Sequence, residues 1–231
     1  MFNKKIVEVL KNKRGIEFGG PTELFYNPTF RMDLYNHVFL DGGNMVDDSS
    51  FKNLKGHADF DKTFKYGKED GTQFNVDCSL ESDLNKINKK YDFIVTSHLI
   101  EHLANPIKTI KNWSNLLLNE GGYVLSIIPH YSFCFDRNRP LTTIEHLIND
   151  YENNIGEDDK THIEEQKKLH DWSQGGHPDF SELCENNDKT RVVHHHTFTP
   201  DTVDELFNAC GLKSIVTFKH DNLNIVNLSQ I

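Results

Sequence analysis

The stretch Tyr91-Asp92-Phe93-Ile94-Val95-Thr96-Ser97, followed by His98-Leu99-Ile100-Glu101-His102-Leu103-Ala104-Asn105-Pro106, decides the fold. Its first seven residues form a nearly continuous apolar run, which suits a strand buried on both faces of a parallel sheet. Asn105 is a good helix N-cap and Pro106 fits the first helical position, so a helix starts there. Ile107, Ile110, Trp113, Leu116 and Leu117 follow at helical spacing, and Gly121-Gly122 is the predicted stop. Tyr123 to Ile128 reads as the next buried strand, closed by Pro129-His130. The unit is strand, helix, strand.

Working outward, the same alternation continues. Towards the N-terminus, Ile6 to Leu10 predicts a short helix. Strands are predicted at Arg14 to Phe18, before Gly19-Gly20-Pro21, and at His37 to Leu40, before Asp41-Gly42-Gly43. Another is expected from Thr72 to Val76, ending at Asp77, then a helical turn from Glu81 to Asn88. Towards the C-terminus, helices are expected at Thr142 to Tyr151 and Ile163 to Trp172. Thr199-Pro200 starts another helix, with Val203, Leu206, Phe207 and Cys210 as its inner stripe. Lys213 to Phe218 and Leu223 to Leu228 read as a closing strand pair. This order predicts an α/β, Rossmann-like, doubly wound and mostly parallel seven-stranded sheet, with an antiparallel edge hairpin and a helical insertion. The expected core is residues 1–129 and 197–231, and the insertion is 130–196.

Composition narrows the function. The chain has 231 residues and a formal charge of -10, from 35 acidic against 25 basic residues. That argues against a nucleic-acid partner, which needs a basic face. No apolar run reaches the roughly 18–20 residues of a membrane span. The N-terminal residues include Lys4, Lys5, Glu8 and Lys11, which no signal-peptide core would carry, so a cytoplasmic location is expected. Cys78, Cys134, Cys184 and Cys210 form no C-x-x-C pair and read as reduced thiols. Eight of the 13 histidines lie between His130 and His196, a stretch with 14 acidic and 7 basic residues.

In doubly wound sheets ligands bind at the carboxyl ends of the strands, where strand order reverses. The residues expected there are Glu17, Gly19, Gly20, Asp41, Asp77, Ser97, His98, Glu101, His102, Pro129 and His130. Glycine after the first strand lets backbone N–H groups approach a ligand closely. Asp41 lies 22 residues after Gly19, a spacing at which a carboxylate can hold a ribose. Asp77 is placed to accept a bond from an adenine amine. Each of these residues, taken alone, also fits ordinary turn chemistry.

The Tyr91–Pro106 block, with Leu116-Leu117-Leu118-Asn119-Glu120-Gly121-Gly122, resembles the class I S-adenosylmethionine-dependent methyltransferases. The resemblance runs from about Arg14 to the C-terminus. A narrower likeness, through Phe135-Asp136-Arg137-Asn138-Arg139-Pro140, Thr143-Ile144-Glu145-His146-Leu147, Asp158-Asp159-Lys160-Thr161-His162 and His194-His195-His196, is to type 11-like methyltransferases of bacterial glycan or capsule gene clusters. The resemblance implies S-adenosylmethionine as cofactor. Glu17, Gly19 and Gly20 would flank its methionine part, Asp41 its ribose, Asp77 its adenine, and Ser97 and His98 its sulfonium. One departure stands out. The family's first motif is E/D-x-G-x-G-x-G, whereas this chain reads Glu17-Phe18-Gly19-Gly20-Pro21-Thr22.

Methyl transfer to a hydroxyl is helped by a base, worth about 10²–10⁴-fold. His130, then His102, then His98 are the expected candidates. The insertion is expected to cover the acceptor, a small polar molecule such as a sugar, sugar nucleotide or phosphorylated glycan precursor. Arg137 and Arg139 suit a phosphate or carboxylate, or pair internally with Asp136, Glu145 or Asp158-Asp159. His194, His195 and His196 are expected to line the acceptor site through hydrogen bonds. In a strand the outer two would share one face, and no metal is assigned to them. The alternatives are an NAD-dependent sugar-nucleotide dehydrogenase or epimerase, disfavoured by the missing G-x-G-x-x-G, and an inactive cofactor-binding partner subunit. A homodimer stays open.

Overall fold

A computed structural model describes residues 2–26, 32–45 and 63–231. The strands are β1 (Arg14–Phe18), β2 (Phe39–Asn44), β3 (Thr63–Phe64), β4 (Gly71–Asn75), β5 (Tyr91–Ser97), β6 (Leu118–Pro129), β7 (Lys213–Lys219) and β8 (Asn224–Gln230). The helices are α1 (Phe2–Leu10), α2 (Glu81–Leu84), α3 (Pro106–Leu117), α4 (Ile144–Glu152), α5 (Ile163–Leu169), α6 (Phe180–Glu185), α7 (Asn187–Thr190) and α8 (Pro200–Ala209). The sheet order is β3-β4-β2-β1-β5-β6-β8-β7. β1 pairs in parallel with β2 on one side and β5 on the other, so strand order reverses at β1.

The expected α/β doubly wound sheet is therefore present, with eight strands among the described residues where seven were expected. The extra strand, β3, has two residues and pairs antiparallel with β4 at one edge. Two residues are too few to show a periodic pattern. At the other edge, Ser214 Oγ meets Ser229 Oγ at 3.3 Å and Asn227 Nδ2 donates to Thr217 Oγ1 at 2.7 Å. These pairs run in opposite directions along the chain, as the closing hairpin requires.

Helix starts follow the chemistry of their caps. Asn105 Oδ1 accepts from Lys108 N at 3.0 Å, and Pro106 opens α3. Thr199 and Thr202 form a reciprocal capping box ahead of α8, with Pro200 at its first turn. The second strand departs from expectation, running through Asp41-Gly42-Gly43 instead of ending there. A Cβ at Gly42 would lie 2.3 Å from the Phe64 ring, and one at Gly43 2.6 Å from the Phe18 ring. These glycines admit aromatic rings onto the strand and do not make a turn.

The chain divides into two compact units. One comprises Met1–Ser97, Asn112–Leu125 and Gln230–Ile231; the other comprises His98–Lys111 and Ser126–Ser229. In the first, Phe18 stacks on Trp113 at 5.4 Å, and the Trp113 indole N–H donates to the Cys78 carbonyl at 2.8 Å. In the second, α5 and α6 close a small apolar cluster of Ile163, Phe180, Cys184 and Val193. Among the described residues no helix is long and apolar enough to cross a membrane. The four cysteines are free thiols.

Candidate active site

The carboxyl end of β1 is built around one buried acid. Glu17 is the next-to-last residue of the strand and is fully buried. Tyr35 Oη donates to its Oε2 at 2.6 Å, and Thr22 N–H donates to its Oε1 at 3.0 Å. Burial pushes Glu17 up to about 7 despite these donors, so the carboxyl is poised to ionise near neutrality. Gly19 follows with φ 78°, and its N–H donates to the Gly43 carbonyl at 3.2 Å. A Cβ at Gly20 would lie 2.1 Å from the Glu17 carboxyl carbon, so only glycine lets the turn fold over that acid. Asn44 Nδ2, at the end of β2, donates to the Gly20 carbonyl at 2.8 Å. The structure thus brings together Glu17, Gly19 and Gly20 at one strand end. It adds Tyr35 and Asn44, which the sequence did not flag. Asn44 is hidden in the sequence because Gly42-Gly43 resembles a turn that closes β2 before it, and Tyr35 follows a stretch without periodicity.

The remaining cofactor candidates sit in different surroundings. Asp41 lies opposite Ile16, inside β2. Its carboxylate accepts from Thr72 N at 2.7 Å, Lys89 Nζ at 2.9 Å and Tyr91 Oη at 2.7 Å. A ribose there would compete with three protein donors. Asp77 follows β4, and its Oδ1 accepts from Ser79 N at 2.9 Å and Ser79 Oγ at 2.7 Å. Ser97 ends β5 and is buried.

In the second unit, His98 adopts φ 49°, in the left-handed region, and its Nε2 meets Asn224 Oδ1 at 2.9 Å. An amide oxygen only accepts, so this ring nitrogen carries the proton. His130 Nδ1 accepts from Ser132 N at 3.3 Å, which puts its proton on Nε2. Burial, then the Lys219 charge, holds His130 below its ordinary value. The first-choice base thus presents an N–H at Nε2, the form of a donor.

His102 and His194 flank Glu101. His102 Nδ1 meets the Val193 carbonyl at 3.2 Å, and His194 Nδ1 meets Asp136 Oδ2 at 2.5 Å. Burial drives His102 well down, and burial also raises Glu101. His194 is net raised: burial opposes its charge, but the Asp136 carboxylate outweighs it.

Arg139 is buried and spent on the fold. Its guanidinium donates to Glu165 at 2.8 Å, Asp136 at 2.9 Å, Gln166 at 2.7 Å and the carbonyls of His194 at 2.7 Å and His195 at 3.3 Å. The internal pairing with Asp136 is the one it makes. Arg137 differs, because it is 44% exposed and pairs with Asp171 and Ser173. The three consecutive histidines are buried, and they are not in a strand. His194 and His196 do not share a neighbourhood: His194 joins Glu101 and His102, whereas His196 joins His146 and His162. His195 Nε2 meets Asn187 Nδ2 at 3.1 Å.

Residues 8–217 match the family described as a methyltransferase domain. The chain belongs to this methyltransferase family. No curated protein matches it in sequence. A solved trans-methyltransferase, CalH in complex with SAH, is 11% identical at a TM-score of 0.50, covering 100% of this chain and 54% of its own. A Rhodobacter sphaeroides chain, provisionally described as a Zn-dependent alcohol dehydrogenase, is 10% identical at a TM-score of 0.52, covering 98% and 87%. A SAM-dependent methyltransferase from Aquifex aeolicus is 12% identical at 0.46, covering 99% and 89%. The chain spans about half the length of several solved structures it matches. At these identities the likeness is one of fold.

S-adenosylmethionine is the cofactor that this methyltransferase family implies. It carries a sulfonium and an ammonium. The residues present fit such a ligand: an acid that ionises near pH 7 stands at the strand-order reversal, beside a turn whose glycine admits no side chain.

Proposed function

We propose that this methyltransferase acts on an oxygen or nitrogen of a small anionic polar metabolite, such as a phosphorylated sugar or sugar nucleotide on the way to a surface glycan. Bound S-adenosylmethionine supplies the electrophilic methyl group. Glu17, once ionised, balances the cofactor's positive charge, and the Gly19-Gly20 turn keeps the carboxyl covered. Tyr35 and Thr22 hold that carboxyl in one rotamer, so little ordering remains to be done on binding.

The observation that carries the acceptor class is the pairing of Arg137 with Asp171 and Ser173, on either side of Trp172. Trp172 is 56% exposed. An arginine fork suits a phosphate, and a flat exposed ring suits the apolar face of a sugar. His130 then serves as an N–H donor to the acceptor instead of as its base.

The test is transfer of labelled methyl from S-adenosylmethionine to separate panels of phosphorylated sugars, sugar nucleotides, neutral sugars and polyamines. The reading requires label in a phosphorylated panel, with KM raised several-fold by Arg137→Ala and by Trp172→Ala. Label confined to polyamines or neutral sugars would overturn it.

A further inference from the structure

Glu101 is 1% exposed, and neither carboxyl oxygen accepts a hydrogen bond. A buried acceptor left without a donor is costly, so what faces it matters. Two imidazole nitrogens do. His102 Nε2 lies 3.9 Å and His194 Nε2 4.0 Å from Glu101 Oε1, too far for hydrogen bonds. The three ligand atoms all lie within 4.8 Å of one another.

The opposite edges of both rings are already engaged. His194 Nδ1 is held by the Asp136 carboxylate and His102 Nδ1 by the Val193 carbonyl. Each partner only accepts, so each Nδ1 carries a proton, and in the neutral rings both Nε2 lone pairs point at the space beside Glu101. With Glu101 ionised and both rings neutral, three electron-pair donors converge there, the arrangement a cation would complete. Asp136 is in turn fixed by Arg139 at 2.9 Å and Gln166 Nε2 at 3.2 Å. A carboxylate or carbonyl behind a ligating imidazole is the usual outer support of a metal site.

We propose that Glu101, His102 and His194 bind a divalent transition-metal ion, with zinc as the reference case. Two neutral imidazoles and one carboxylate are a donor set such ions accept. Bonds of roughly 2.0–2.2 Å need each ligand to move inward by only a few tenths of an ångström. Three protein ligands leave at least one coordination position for water or for a substrate oxygen. His102 is the partly exposed member, so the open position is reached from its side. The neighbouring trio Cys134, Asp136 and His194 is the weaker choice, because Asp136 is already saturated by protein donors. The inference rests on these side chains alone and stands whether or not the proposed acceptor is correct.

The experiment uses the full chain, purified with any polyhistidine tag removed. After incubation with zinc and desalting, metal content is measured, and cobalt is substituted to read the visible bands of a low-coordinate site. The wild type is expected to retain about one zinc per chain and to show the cobalt bands. Glu101→Gln keeps the shape of the side chain but weakens zinc at least tenfold and abolishes the bands. His162→Gln, in the separate trio of His146, His162 and His196, leaves both signals in place. Circular dichroism of the variants confirms folding. No retained zinc in the wild type would overturn the proposal. So would zinc that survives Glu101→Gln, or zinc that is lost with His162→Gln.

Discussion

The two compact units solve opposite electrostatic problems. The unit around β1 buries Glu17 completely and surrounds it with a hydroxyl and a backbone N–H. The other unit carries eleven of the thirteen histidines and several buried acids. In the first, burial outweighs the two donors and lifts the Glu17 carboxyl to about 7. In the second, Asp136 is locked between Arg139 and His194, whose charges hold it well below the usual carboxylate range against the pull of burial. Burial alone therefore does not fix the state of a group; the donors packed with it do.

The largest effect is expected where the second unit is most locked. Arg139→Met leaves Asp136 buried without its cation and should cost roughly 3–5 kcal/mol in denaturant unfolding. Arg139→Lys should recover only part, since a lysine cannot reach five acceptors. A loss under about 1 kcal/mol would show that the network contributes little.

The units should also respond to pH in opposite directions. Glu17 has its folded pKa raised from 4.5 to about 7, so the folded state holds a proton that the unfolded state has lost. Stability then falls as pH rises from 4.5 through 7, by roughly 3 kcal/mol in total. Glu17→Gln should flatten that limb. His162 has its folded pKa lowered, by burial first and then by Arg139 and His146, with Glu165 and Asp159 opposing. It stays neutral in the fold, so stability is lost as pH falls below 6.5. His162→Gln should soften that acid limb. Loss on the same side for both groups would break the comparison.

A smaller effect separates scaffold from ligand contact at Asp41. Asp41→Asn should lower stability by about 1–2 kcal/mol through its three lost or reversed hydrogen bonds, while affinity for S-adenosylhomocysteine changes less than tenfold. A hundredfold loss of affinity with stability unchanged would put Asp41 on the ribose. The smallest effect belongs to Arg137. Its side chain is 44% exposed, so Arg137→Ala reads acceptor binding with little change in the fold.

The parts legible in the sequence were those with local causes. β5 is visible as a nearly continuous apolar run, β1 by the Gly19-Gly20-Pro21 breaker that follows it, and α3 and α8 through Asn105-Pro106 and Thr199-Pro200. The glycines after β1 pointed to Glu17 because their spacing is local too. What stayed hidden depends on residues far apart in the chain. Gly42-Gly43 resembled a turn because nothing nearby shows that Phe18 and Phe64 lie over them. For Arg139 the sequence leaves anion binding and internal pairing both open, because, Asp136 apart, its acceptors are residues 165, 166, 194 and 195. His194-His195-His196 read as one site, yet each ring turns to partners distant in sequence.

The most direct test of the account is calorimetric titration of S-adenosylhomocysteine into the wild type, Glu17→Gln and Glu101→Gln, with NAD as control. The account predicts micromolar binding by the wild type and by Glu101→Gln, at least tenfold weaker binding by Glu17→Gln, and none for NAD. Wild-type affinity should strengthen as pH rises through about 7, where Glu17 ionises. Equal affinity in wild type and Glu17→Gln, or binding of NAD in place of S-adenosylhomocysteine, would contradict it.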